Sequence, residues 1–158
     1  MLWAAVYPLF RLSPRPFWAW RAMMLRMFGA NVGSNVHVYP TVRIMIPWNL
    51  TLGDFSAVGD RAILYALGPV SIGERATVSS YAYLCAGSHN WRDPSMPLTK
   101  PEITIGSDSW ICTGAFIGPA VRVGDNSIIG ACAVVVRNVE PGTLVAGNPA
   151  REVGRREV

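Results

Sequence analysis

Ile105, Ile111, Ile117, Val123, Ile129 and Val135 follow one another at intervals of six residues. Four residues after each stands a small or branched side chain: Ser109, Ala115, Val121, Ser127, Ala133 and Val139. The same frame runs upstream in three triplets: Val32, Val38 and Ile44; Leu52, Val58 and Leu64; Ile72, Val78 and Leu84. Between triplets the step there is eight rather than six, which places two extra residues at one recurring corner. A period of six matches neither the 3.6 of an α-helix nor the variable spacing of hairpins. It suits a short parallel strand and a tight turn, repeated three times per triangular coil, with each aliphatic pointing inward. Stacked coils then bury one continuous apolar column. The pattern predicts an all-β parallel β-helix of about five coils over residues 32–140. Gly106, Gly118, Gly124 and Gly130 recur in this frame and are assigned to its turns, and the chain has no phosphate-cradling GxxxxGK[ST] or strand-to-helix GxGxxG.

Residues 1–31 differ in character. PFWAWRAMMLRMFG predicts a helix starting near Pro16 and stopping at Gly29, with Phe17, Trp20, Met24, Met27 and Phe28 on one stripe. Two readings fit that stripe: a cap on the open end of the first coil, or a membrane anchor lying in the bilayer plane. Residues 141–158 are left as a C-terminal tail. The chain is 51% hydrophobic and only 15% charged, so some apolar surface is expected to meet a partner. Its net charge of +4 comes from thirteen arginines and Lys100, which favours phosphate-bearing small molecules or an anionic membrane. No basic run interleaves with aromatics on a recognisable module, which argues against nucleic acid. Cys85, Cys112 and Cys132 have no CxxC spacing and read as reduced thiols of a cytoplasmic protein. Neither a signal peptide nor a membrane span is expected.

The period breaks at GSHNWRDP. His89 ends the third triplet's last unit, and the frame resumes only at Ile105, so residues 90–104 form an ejected loop. Loops on rigid scaffolds commonly carry function. His89 reads as a structural side chain, a metal ligand or a general base. A three-histidine zinc site is excluded because His37 is the only other histidine. An imidazole at the loop root suits a base, because it titrates near neutrality.

With the repeat, the loop histidine, Trp110 and the C-terminal GNPAR on hand, the chain resembles the hexapeptide-repeat O-acetyltransferases, and among them those of colanic acid biosynthesis. The resemblance covers WRAMMLRMFGANVGSNV, PWNLTLGDFSAVGDRAILYALG, SYAYLCAGSHN and VAGNPAR. It implies a left-handed helix, a homotrimer with sites between subunits, and acetyl transfer from acetyl-CoA to a sugar hydroxyl of an exopolysaccharide or lipopolysaccharide precursor, with no metal. His89 would be the base, and Asp93 would orient it, since Asn90 stands where relatives carry a carboxylate directly after the histidine. Trp110 would pack on the pantetheine arm, and Thr113 would offer a backbone N–H to the oxyanion. Ala131 would leave room for the arm, and Arg137 and Arg151 would pair with the phosphates, unless they are plain solvated charges. If the precursor is lipid-linked, the apolar N-terminus would hold the enzyme at the inner face of the membrane. Two rivals are N-acetylation of an amino nucleotide sugar and a non-catalytic β-helix scaffold.

Overall fold

A computed structural model describes residues 2–156. After helices α1 (Leu2–Arg11) and α2 (Trp18–Met27), the chain winds into triangular coils. The first holds β1 (Asn31–Val32), β2 (His37–Val38) and β3 (Arg43–Ile44), and the second β4 (Leu50–Leu52), β5 (Ala57–Val58) and β6 (Ile63–Tyr65). The third holds β7 (Val70–Ile72), β8 (Thr77–Val78) and β9 (Tyr83–Cys85). An outlying antiparallel pair follows, β10 (Ser88–His89) with β11 (Leu98–Thr99). The fourth coil is β12 (Ile103–Ile105), β13 (Trp110–Ile111) and β14 (Phe116–Ile117), and the fifth β15 (Arg122–Val123), β16 (Ile128–Ile129) and β17 (Val134–Val135). Corresponding strands pair in parallel along the three walls. The first wall is β1-β4-β7-β12-β15, the second runs β2-β5-β8-β13-β16, and the third is β3-β6-β9-β14-β17.

Every aliphatic of the six-residue frame is buried in the column between these walls. The small residue four places on is buried too, which is why it must be small. Ser109 and Ser127 satisfy their hydroxyls on the carbonyls of Gly124 and Glu140. The Ser56 hydroxyl has no partner there, while Ala76 stands in the same place one coil on. An unsatisfied buried hydroxyl costs roughly 1–3 kcal/mol. Ser56→Ala is therefore expected to raise stability by about 1 kcal/mol in urea unfolding, and a loss of stability would contradict this packing.

The turn glycines have a different cause from the one expected. The positive φ at the corners after the first wall falls two residues later, on Asn35, Phe55, Arg75, Asp108 and Asn126. What the glycine column provides is close stacking: a Cβ on Gly73 would lie 2.5 Å from the backbone nitrogen of Ser107 in the next coil.

Two boundaries also move. Ile103 already pairs with Val70, so the ejected loop rejoins the wall before Ile105. At the other end, the solenoid does not stop at 140. In β18 (Thr143–Ala146), Leu144 and Val145 continue the second wall in parallel beyond Ile128 and Ile129, and β19 (Arg151–Arg155) folds back antiparallel on it.

The N-terminal segment forms two helices where one was expected, the first with Pro8 inside it. α2 ends as expected, with Gly29 at φ 85°. The apolar stripe, for which a cap and a membrane anchor were both open, is turned largely outward: Phe17, Trp20 and Met27 are exposed, and of that set only Met24 is buried, with Phe28 half-buried. The coil-facing side of α2 is instead Arg21, Ala22 and Leu25. On α1, Trp3 and Tyr7 anchor the cap by donating to the carbonyls of Ile44 and Val42.

Candidate active site

His89 sits on β10, where the loop leaves the corner after the third wall. Its Nδ1 lies 2.5 Å from the carbonyl oxygen of Met96. A carbonyl only accepts, so Nδ1–H is the donor, and the tautomer this bond selects has its lone pair on Nε2. The ring is exposed, and Nε2 has no hydrogen-bond partner among the described residues. Met96 is held in place by the loop itself. Its N–H donates to Asp93 O, that of Asp93 donates to Asn90 O, and that of Asn90 donates to Pro97 O. The Asp93 carboxylate does not bond His89; it accepts from the N–H and hydroxyl of Ser95, and these two bonds hold it below the usual carboxylate range. The returning limb of the loop crosses the second coil at Gly68, where a Cβ would meet the carbonyl of Lys100 at 2.4 Å.

Trp110, Thr113 and Ala131 gather elsewhere, at the corner after the second wall. The Trp110 indole is half exposed and donates from Nε1 to Ser79 Oγ at 2.8 Å, a partner 31 residues away that the coil stacking supplies. Thr113 lies at the next turn, with its N–H unengaged among the described residues while its carbonyl accepts from Cys132 N. Ala131 and Cys132 thus stack directly on Thr113. A groove of about 350 Å³ runs from Thr113 past Ser79, Gly59 and Asp60 to Tyr39 and Arg15. At the far end of the solenoid, Arg137 and Arg151 line a cavity of about 190 Å³ with Asn138 and Glu140. Arg151 pairs with Ala146, and Ala146 lies against Gly130, the neighbour of Ala131. Trp110, Thr113 and Ala131 therefore mark a path that climbs the solenoid toward Arg151, and Arg137, which follows β17 of the third wall, shares with Arg151 the cavity at the far end.

Within one chain His89 stands apart from that path, at a different corner of the triangle. The outer surface of the third wall lies between the two corners and is apolar. Tyr65, Tyr83 and Phe116 pack edge-to-face down it, at centroid separations of 6.3 and 5.4 Å. Met45 and Val136 are exposed at its ends. Burial, with Cys85 alongside, pushes the Tyr83 phenol up to about 12, so this wall carries no charge from it near neutral pH. No group of three His, Cys, Asp or Glu side chains among the described residues is arranged to hold a metal ion.

Residues 102–137 match the family model described as bacterial transferase hexapeptide, six repeats. WcaF of Escherichia coli K12, whose name assigns it to colanic acid biosynthesis as an acetyltransferase, is 39% identical over 154 residues, covering 98% of this chain and 85% of WcaF. A maltose O-acetyltransferase from Clostridium difficile 630 superposes with a TM-score of 0.89 at 24% identity, over 98% of this chain and 84% of that one. A galactoside acetyltransferase solved in complex with coenzyme A gives the same TM-score at 25% identity, covering 98% of this chain and 78% of that one. A left-handed β-helix with a histidine at the root of an ejected loop, an indole at the next corner and 39% identity to WcaF over 98% of this chain make it a member of the hexapeptide-repeat acetyltransferases.

Proposed function

We propose that the protein transfers the acetyl group of acetyl-CoA to a hydroxyl of a sugar in an exopolysaccharide or lipopolysaccharide precursor, with His89 as general base. The observation that carries this reading is the bond of His89 to the loop: Nδ1–H donates to Met96 O, which leaves Nε2 free at an exposed loop root. Nε2 removes the acceptor's proton as its oxygen attacks the thioester carbonyl. The tetrahedral oxyanion is held by backbone N–H groups, that of Thr113 among them. The intermediate collapses, the C–S bond breaks, and CoA leaves as a thiolate that takes up the proton held by His89.

The cofactor lies along the path from Trp110 to the arginines. The indole packs on the pantetheine arm, Ala131 leaves it room, and Arg137 and Arg151 pair with the phosphates. Because His89 and this path occupy different corners, the working site combines His89 of one subunit with the groove of another, in a homotrimer packed through the apolar third wall. Asp93 acts as a positioning residue, closing through Ser95 the turn that presents Met96 O to His89. The sugar hydroxyl is favoured over the amine of a nucleotide sugar because an alcohol needs a base to become a nucleophile, and the base is the best-defined part of the site. The chain works in the cytoplasm, where acetyl-CoA is available.

The test starts with the donor. Acetyl-CoA is expected to bind in calorimetry, and Trp110→Ala to weaken that binding by about tenfold through lost aromatic contact. An acceptor screen then compares sugars with free hydroxyls against amino sugars. Folded protein that ignores acetyl-CoA would leave a scaffold, and acetylation of amines alone would move the reaction to nitrogen.

A further inference from the structure

The N-terminal helices are apolar on two sides, and only one of them faces the solenoid. Trp3, Val6, Tyr7 and Phe10 of α1 point inward. The opposite side of α1 carries Leu2 and Leu9, and the chain continues with Leu12; these are 75%, 59% and 83% exposed. On α2, Phe17, Trp20, Met23 and Met27 are exposed at helical spacing. A helix that is apolar all round is ordinarily covered on all sides. Leu9, Leu12, Phe17 and Trp20 enclose a common hollow of about 330 Å³ with Ser13 and Pro14, so the two stripes form one face.

The charge around that face has one sign. The first 53 residues contain five arginines and no aspartate or glutamate. Arg21 is buried, and Arg15 pairs with Asp60. Arg11 and Arg26 are exposed and make no ion pair among the described residues, Arg26 donating only to the carbonyls of Val32 and Gly33. The apolar stripes offer hardly any hydrogen-bonding groups beyond the rim. A protein interface carries about one hydrogen bond per 100–200 Å², whereas a lipid surface needs no such register.

We propose that this face docks on an anionic phospholipid bilayer, the apolar stripes entering the headgroup–acyl boundary and these two arginines resting among phosphates. Each helix is ten residues long, and no helix among the described residues is long and apolar enough to cross a membrane, so the mode is in-plane. Because α2 packs on the first coil, the solenoid rises from the lipid. Trp110 lies three strands above β2 on the second wall, about 14 Å at roughly 4.8 Å per step. A sugar joined to lipid through a phosphate would reach the groove at that height. This last point rests on the proposed acetyl transfer; the docking itself does not.

The test is flotation of the full chain with vesicles of phosphatidylcholine alone and of phosphatidylcholine mixed with phosphatidylglycerol. We expect flotation with the mixed vesicles, about tenfold or more weaker on phosphatidylcholine alone and weakened by salt. The double variant Leu12→Glu with Phe17→Glu changes only exposed side chains and should stay unfloated while binding acetyl-CoA as the parent does. Wild type that floats with neither vesicle overturns the proposal. A double variant that floats as well as wild type does so too, as does one that changes the mass in sedimentation equilibrium, because the face would then join copies of the chain. Absence of acetyl-CoA binding by wild type would undo the catalytic reading and leave the flotation result standing.

Discussion

His89→Ala is expected to lower kcat by about 10²–10⁴-fold, the usual worth of a positioned general base, while acetyl-CoA binding stays unchanged. The separation follows from the roles: His89 bonds Met96 O and offers Nε2 to the acceptor, while the donor's contacts belong to Trp110, Ala131 and the arginines, so loss of His89 touches proton transfer and not those contacts. His89→Gln should do no better, since an amide can bond Met96 O but has no basic nitrogen to place where Nε2 stands. Steady-state kinetics of the variants beside calorimetry with acetyl-CoA measures both effects. Activity of His89→Ala within a few-fold of wild type would assign His89 to the loop's structure and the chemistry to another group.

The repeat was legible because stacking leaves a strict trace: within each coil the three walls take an aliphatic in turn at steps of six, from Val32 to Val135, and every one is buried. His89 was legible because the frame breaks beside it, and Trp110 only through the family resemblance, since its outward place before Ile111 is filled elsewhere by residues as different as His37, Arg43 and Phe116. What escaped was whatever depends on contacts between coils. Ser79 becomes the partner of Trp110 only because β8 lies under β13, and nothing near Trp110 in the chain marks it. Met96 holds His89 through a carbonyl that every residue possesses. The turn glycines were located correctly but explained by φ, when the close approach of the next coil requires them. Helix α1 was not read as a helix at all, and Arg21 was not read as a side chain that faces the coil, because a charge in an apolar stretch marks no contact by itself.

That arginine supports the second large effect. Arg21→Met should cost about 3–5 kcal/mol, near the upper end for a single substitution. The guanidinium is fully buried without a carboxylate and spends its donors on neutral acceptors: Nε on Val38 O, Nη1 on Ser13 Oγ and Pro14 O, Nη2 on Arg15 O. Burial draws its pKa below the usual guanidinium value, and the Trp18 ring, 4.7 Å away, helps to hold the charge. These bonds tie the α1–α2 turn to the first coil, so methionine fills the volume and strands four acceptors. Lysine keeps the charge but not the planar fork, and should recover only part of the loss. A solenoid loses stability locally, because each coil leans only on its neighbours. Amide exchange should therefore speed up across residues 2–44 while β13 to β17 stay protected, and urea unfolding should begin with the cap. Uniform destabilisation along the chain would mean that the cap and coils fold as one unit. A cost below about 1 kcal/mol, the net worth of a single ordinary hydrogen bond, would mean that the hairpin is held by Trp3, Tyr7 and Leu25 alone.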